Sequence, residues 1–150
     1  MSNRVALLVF LVIVVGGGLL IGTFTLPGEW YAGLAKPAFN PPNWIFGPVW
    51  TVLYVPIAVV GWRTWVRDGR GSLMAIWWGQ LALNFLWSPV FFGAHRIGLA
   101  LADILALLAA ILAFIALSWT RDRVAAWLFV PYAAWVAFAS LLNAAIWQLN

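Results

Sequence analysis

At 150 residues the chain has the length of one domain, and 65% of it is hydrophobic against 8% charged, where soluble domains carry about 25% charged residues. That balance puts it in the membrane class. A net charge of +4 on scattered basic residues does not make a nucleic-acid patch, and the absence of cysteine excludes disulfides, thiol chemistry and cysteine metal sites.

Five uninterrupted apolar segments follow one another, at Val5–Leu26, Ile45–Val66, Ser72–Ala94, Ile97–Thr120 and Val124–Leu149. Each is near the ~20 residues that a spanning helix needs. The sequence therefore predicts an all-α membrane protein, a single domain over 1–150 built as a bundle of five transmembrane helices. The first segment follows Arg4 as a signal peptide would, but it exceeds the h-region length of about 7–15 residues and no A-x-A site follows. It is read as a retained helix. Its Gly18 and Gly22 form a G-x-x-x-G that permits close helix approach, within one chain by preference or between two copies.

The join over 27–44 is long, aperiodic and carries Pro27, Pro37, Pro41 and Pro42, which predicts a lid-like loop between the first and second helices. The other three joins are short and force antiparallel neighbours. Interior prolines Pro56, Pro89 and Pro131 each deprive a carbonyl one turn earlier of its helical donor, which suits helices bowed around a cavity.

The third segment carries the most telling pattern. Gln80, Asn84, Trp87 and Phe91 recur at helical spacing and share one face. Hydrocarbon offers an amide no hydrogen-bond partner, so this face is expected to line a pocket. Asp103, the one ionisable group well inside a span, is expected to hydrogen-bond a neighbouring helix. Trp62, Trp65, Trp119, Trp127 and Trp147 lie near segment ends, where indoles favour the membrane interface, and Trp77 and Trp78 are grouped with them. Trp50, Trp87 and Trp135 are not explained that way. With Asn84 they would form flat aromatic walls for a large planar apolar ligand.

Conventional catalysis has no inventory here. The one histidine, His95, sits in a short join and reads as solvated, and Glu29, Asp68, Asp103 and Asp122 supply neither a paired-carboxylate site nor metal-ligand spacing. No catalytic residue, metal or required cofactor is expected. Arg4, Arg63, Arg67, Arg70, Arg121 and Arg123 fall on one side of the bundle, with Lys36 and Arg96 on the other. That bias predicts a cytoplasmic N-terminus and an outer C-terminus.

Three stretches carry a resemblance: EWYAGLAKPAFNPPNWIFGPVWTVLY at 29–54, GQLALNFLWSPVFFGAHRIGLALADIL at 79–105 and PYAAWVAFASLLN at 131–143. They resemble the translocator protein family, also called tryptophan-rich sensory proteins or peripheral-type benzodiazepine receptors, in its bacterial form. The resemblance implies a multi-pass protein of the bacterial cell membrane, commonly a homodimer. It implies a receptor or carrier that binds porphyrins such as protoporphyrin IX, with no nucleic-acid partner. Carried over by motif, the ligand-binding residues are Trp30, Tyr31, Phe46, Trp50, Asn84, Trp87, Trp135, Ala139 and Leu142. An alternative implied by some bacterial relatives is light-dependent porphyrin degradation, with Trp50 and Trp135 as reactive indoles. A small ion-coupled exporter using Asp103 is a further alternative, weakened by the lack of repeats between halves. Ala144 and Gln148 stand where animal members are expected to carry the Tyr and Arg of a sterol-recognition stretch, which argues against sterol recognition by that element.

Overall fold

The computed structural model describes residues 2–150, and among them the ordered elements are all helical. Helix α1 spans Asn3–Phe24 with a π-helical stretch at Val12–Gly16. A short helix α2, Gly28–Ala32, lies inside the long join. Then come α3 (Asn43–Asp68), α4 (Ser72–Ser88, continued by a π-turn at Pro89–Gly93), α5 (Ile97–Ser118) and α6 (Arg123–Leu149). Helices α1, α3, α5 and α6 are each long and apolar enough to cross a membrane. The α-helical part of α4 is 17 residues.

Prolines act differently from one helix to the next. Pro48 and Pro56 are absorbed within α3 and Pro131 within α6, whereas Pro89 opens the π-turn that ends α4. A π-turn re-spaces the carbonyls locally, which accommodates the donor that proline lacks.

The core is a continuous aromatic and aliphatic cluster running between α1, α3, α4, α5 and α6. Trp77 is at its centre and is fully buried, so it is not an interface tryptophan as its sequence position suggested. Its indole nitrogen donates to the Ile57 carbonyl at 3.0 Å and its ring lies against the Cα of Gly61, where any side chain would collide with it. The adjacent Trp78 points about 100° further round the helix and is exposed. Trp119, Trp127 and Trp147 are exposed, as end-of-span indoles should be.

Gly18 of α1 meets the ring of Tyr54 in α3, and Gly17 meets Phe85 in α4. The glycine run of α1 therefore serves packing within the chain, letting two aromatic rings press on its backbone. At the arginine-rich end, Arg63 clamps the join before α6. Its Nε and Nη2 each donate to a different oxygen of Asp122 at 2.9 Å, and Arg67 approaches the same carboxylate at 3.5 Å. Asp122 in turn caps α6 by accepting from the Ala125 amide. Because the Arg63 guanidinium bonds it directly, its carboxyl is held below the usual carboxylate range.

Candidate functional site

A cavity of about 470 Å³ opens between the lid-side halves of the helices. Its walls are mostly apolar, and each helix places residues there for a local reason. On α1, the small residues Gly18 and Gly22 leave room, and the next turn contributes Thr25. On α3, Phe46, Trp50 and Tyr54 recur at four-residue spacing and form one aromatic face. On α4, Asn84, Trp87 and Phe91 do the same, and on α6 Ala139, Leu142 and Asn143 complete the enclosure. The join over 27–44 adds Pro27, Tyr31 and Asn40 to the lining.

Aromatic contacts set the wall geometry. Trp50 stacks with Tyr54 at 5.8 Å between centroids, and Trp87 stacks with Phe91 at 5.0 Å. Their ring planes are inclined by 30° and 27°, so each pair presents a broad aromatic surface.

Several polar groups at the cavity are engaged with one another, while the side chains of Asn43, Trp50 and Tyr54 line it without a hydrogen bond among the described residues. Asn84 Nδ2 donates to Tyr132 Oη at 2.7 Å, and Tyr132 Oη donates to Gln80 Oε1 at 2.7 Å. This amide–phenol–amide chain runs from the cavity wall into the core, where Gln80 and Tyr132 are both fully buried. It leaves the Asn84 carbonyl oxygen without a protein donor, at the cavity wall. Nearby, Trp87 Nε1 donates to Asn143 Oδ1 at 2.9 Å, and Asn143 Nδ2 donates to the Ile97 carbonyl at 3.0 Å. Thr25 and Ser88 hydroxyls meet at 2.6 Å, joining α1 to α4.

The lid is fastened at several points. Tyr31 is buried against Phe91 and Phe92, its hydroxyl donates to Asn40 Oδ1 at 3.4 Å, and Lys36 lies 4.5 Å over its ring. Burial raises the Tyr31 pKa, against the Asn40 bond that lowers it, so the phenol remains neutral. Trp30 stacks flat on His95 at 4.1 Å and 8°. Asn150 exchanges two hydrogen bonds with the backbone of Ala35, at 3.1 and 2.9 Å.

Of the residues singled out by sequence, Tyr31, Phe46, Trp50, Asn84, Trp87, Ala139 and Leu142 come together on the cavity wall. Trp30 and Trp135 do not line it. Trp30 is on the outer side of the lid against His95, an exposed residue with a left-handed backbone. Trp135 stands behind the wall, edge-on to Trp50 at 6.5 Å and to Phe46 at 5.8 Å. Gln80 lies deeper than Asn84 and bonds between helices.

Asp103 corrects an expectation. It is buried, and neither carboxylate oxygen has a hydrogen-bond partner among the described residues. The Asn143–Ile97 bond and the Phe114–Phe129 contact set the register of α5 on α6, which brings the turn containing Ser140 opposite Asp103. Ser140 gives its hydroxyl proton to the Val136 carbonyl of its own helix instead. Sequence reading missed Tyr132 and Asn143. Both had a signal: a tyrosine in mid-span needs a partner for its hydroxyl, and Asn143 falls one turn after Ala139 on the same face.

Among the described residues no three His, Cys, Asp or Glu side chains cluster as metal ligands would. Compared with known proteins, residues 9–148 match the model of the TspO/MBR family. The chain is 39% identical to the human translocator protein over 141 residues, covering 89% of this chain and 83% of that one. It is 44% identical to the tryptophan-rich protein TspO of Archaeoglobus fulgidus over 123 residues, 81% of this chain and 80% of that one. It is 39% identical to the tryptophan-rich sensory protein of Cereibacter sphaeroides over 129 residues, 86% and 82% of the two chains. A match over nearly the whole chain, on a helical scaffold apolar enough to span a membrane, makes this an integral membrane protein that belongs to the TspO/MBR family.

Proposed function

We propose that this protein is a membrane receptor or carrier whose lid-side cavity binds a porphyrin or a related planar apolar ligand. The observation that carries the reading is the cavity itself, with stacked aromatic pairs on two walls and the Asn84 amide oxygen free to accept. Its volume lies within the range of about 300–1,000 Å³ for small-molecule sites. Trp50 and Trp87 stack on the macrocycle, and Asn84 accepts from a donor on its edge or centre. In this reading Ser72–Gly93 crosses the membrane as one continuous helix, which completes a five-span bundle beneath the 27–44 lid. The N-terminus is cytoplasmic, the cavity opens toward the outer face, and the protein works as a homodimer without a cofactor.

A second reading is light-driven degradation of the bound porphyrin. The edge-on contact of Trp50 with Trp135 favours it, because it gives a cavity indole a second indole to share an oxidising equivalent.

One experiment addresses both. Protoporphyrin IX titrated into the detergent-solubilised chain should quench tryptophan fluorescence saturably. Trp50→Ala should weaken that binding about tenfold, the scale set by losing one buried stacked ring. Trp135→Ala, behind the wall, should weaken it less. Unchanged affinity in a Trp50→Ala, Asn84→Leu double variant would refute the site. Illuminating the complex separates the two readings: bleaching no faster than that of free porphyrin leaves binding alone.

A further inference from the structure

A second cavity, of about 430 Å³, opens at the opposite end of the bundle, where α3 ends, α4 begins, α5 ends and α6 begins. Its buried lining mixes apolar Leu73, Phe114 and Ala125 with the hydroxyl residues Thr64 and Ser118. Its rim carries Arg67, Asp68, Arg121 and Asp122. Arg4, Arg63, Arg70 and Arg123 stand at the same end, so six arginines accompany two carboxylates, a net of +4.

The two carboxylates do not consume the arginines. Asp122 is already held by both donors of Arg63. Asp68 folds back over Gly71 in the turn between α3 and α4. Arg67 places Nε 3.5 Å from Asp122 and donates Nη1 to the Arg121 carbonyl at 3.2 Å, which fixes its planar head over the rim and leaves Nη2 without a hydrogen bond among the described residues. The Arg121 guanidinium has none either among the described residues. Two arginines with spare donors on the rim of one cavity, at the end of membrane-length helices, match a tetrahedral oxyanion carried by something apolar.

We propose that this arginine-lined cavity is a phosphate site, engaging the phosphate group of an anionic membrane lipid or of a soluble phosphate through Arg67 and Arg121. Basic pockets between helices, just beyond the hydrocarbon, are where anionic head groups are held. Arg67 and Arg121 supply the charge-assisted bonds through donors left over from the Asp122 contact, and Arg63 takes the two short bonds to that carboxylate.

The test uses the full chain in nanodiscs and in detergent, with phosphatidylglycerol, phosphatidylcholine and inorganic phosphate as probes. Native mass spectrometry should find phosphatidylglycerol retained in preference to phosphatidylcholine. The Arg67→Gln, Arg121→Gln double variant should lose about tenfold of that retention, the effect of removing two near-surface cations. An Arg4→Gln, Arg70→Gln variant, which loses the same charge at the same end but outside the cavity lining, should keep it. Helicity by circular dichroism confirms that both variants fold. If millimolar inorganic phosphate displaces the lipid and protects wild-type but not the double variant against heat, the site stands with a soluble phosphate as its occupant. If both double variants lose retention equally, the effect is diffuse surface charge and the proposal fails. It fails also if wild type shows neither lipid preference nor any response to phosphate.

Discussion

Tyr132 is the residue on which the polar part of the lid-side cavity depends. Its hydroxyl accepts from Asn84 and donates to Gln80, so removing one oxygen orphans two amides at once. A buried amide left unpaired is destabilising by about 1–3 kcal/mol. Tyr132→Phe should therefore lower the melting temperature of the detergent-solubilised protein by several degrees and free the Asn84 side chain to rotate. Gln80→Leu, which removes an amide together with its orphaned Nε2, should be milder in the same thermal scan. Legibility at this scale was uneven for a physical reason. An amide in an apolar helix announces that it has a partner, because hydrocarbon supplies none, and so Asn84 was found. Which partner it has depends on how helices dock, and nothing local encodes that. Trp77 and Trp78 make the same point, since neighbours in sequence are buried and exposed according to a rotation that only packing fixes.

At the scale of elements, the helices were the most legible part of the molecule. Apolar length and the flanking polar residues set their ends, and α3, for instance, runs Asn43–Asp68 where Ile45–Val66 was expected. What escaped were the departures from ideal helix: the π-helical stretch at Val12–Gly16 and the short α2 inside the lid, neither of which has a hydropathy signature. The α5–α6 join offers an element-scale prediction. Asp122 both caps α6 and receives Arg63, and its folded-state pKa is depressed below an unfolded value of about 3.9. The stabilisation it gives is thus complete above that value and is lost as pH falls through the folded pKa. Melting temperature measured against pH should decline on acidification below about pH 4 in the wild type. Asp122→Asn should start lower at neutral pH, by about 1.5–3 kcal/mol for the lost charge-assisted bonds, and decline less on acidification.

Seen whole, the molecule has two unlike ends. One is an apolar aromatic cavity beneath a lid, and the other is a charged rim around a smaller, arginine-lined hollow. Helix α6 reaches from one to the other. Asp122 fastens its first turn to Arg63, and Asn150, just past its last residue, holds the lid backbone at Ala35. A helix of 27 residues is about 40 Å long and stiff along its axis. Fastened at both ends like a bolted strut, it ties the join over 27–44 to the arginine-rich end of the bundle. Loosening the upper bolt should speed traffic without remodelling the chamber. In Asn150→Ala, protoporphyrin release followed by stopped-flow fluorescence should quicken several-fold, the scale of two exposed hydrogen bonds. The aromatic walls, and the quenching they give at saturation, should be unaltered.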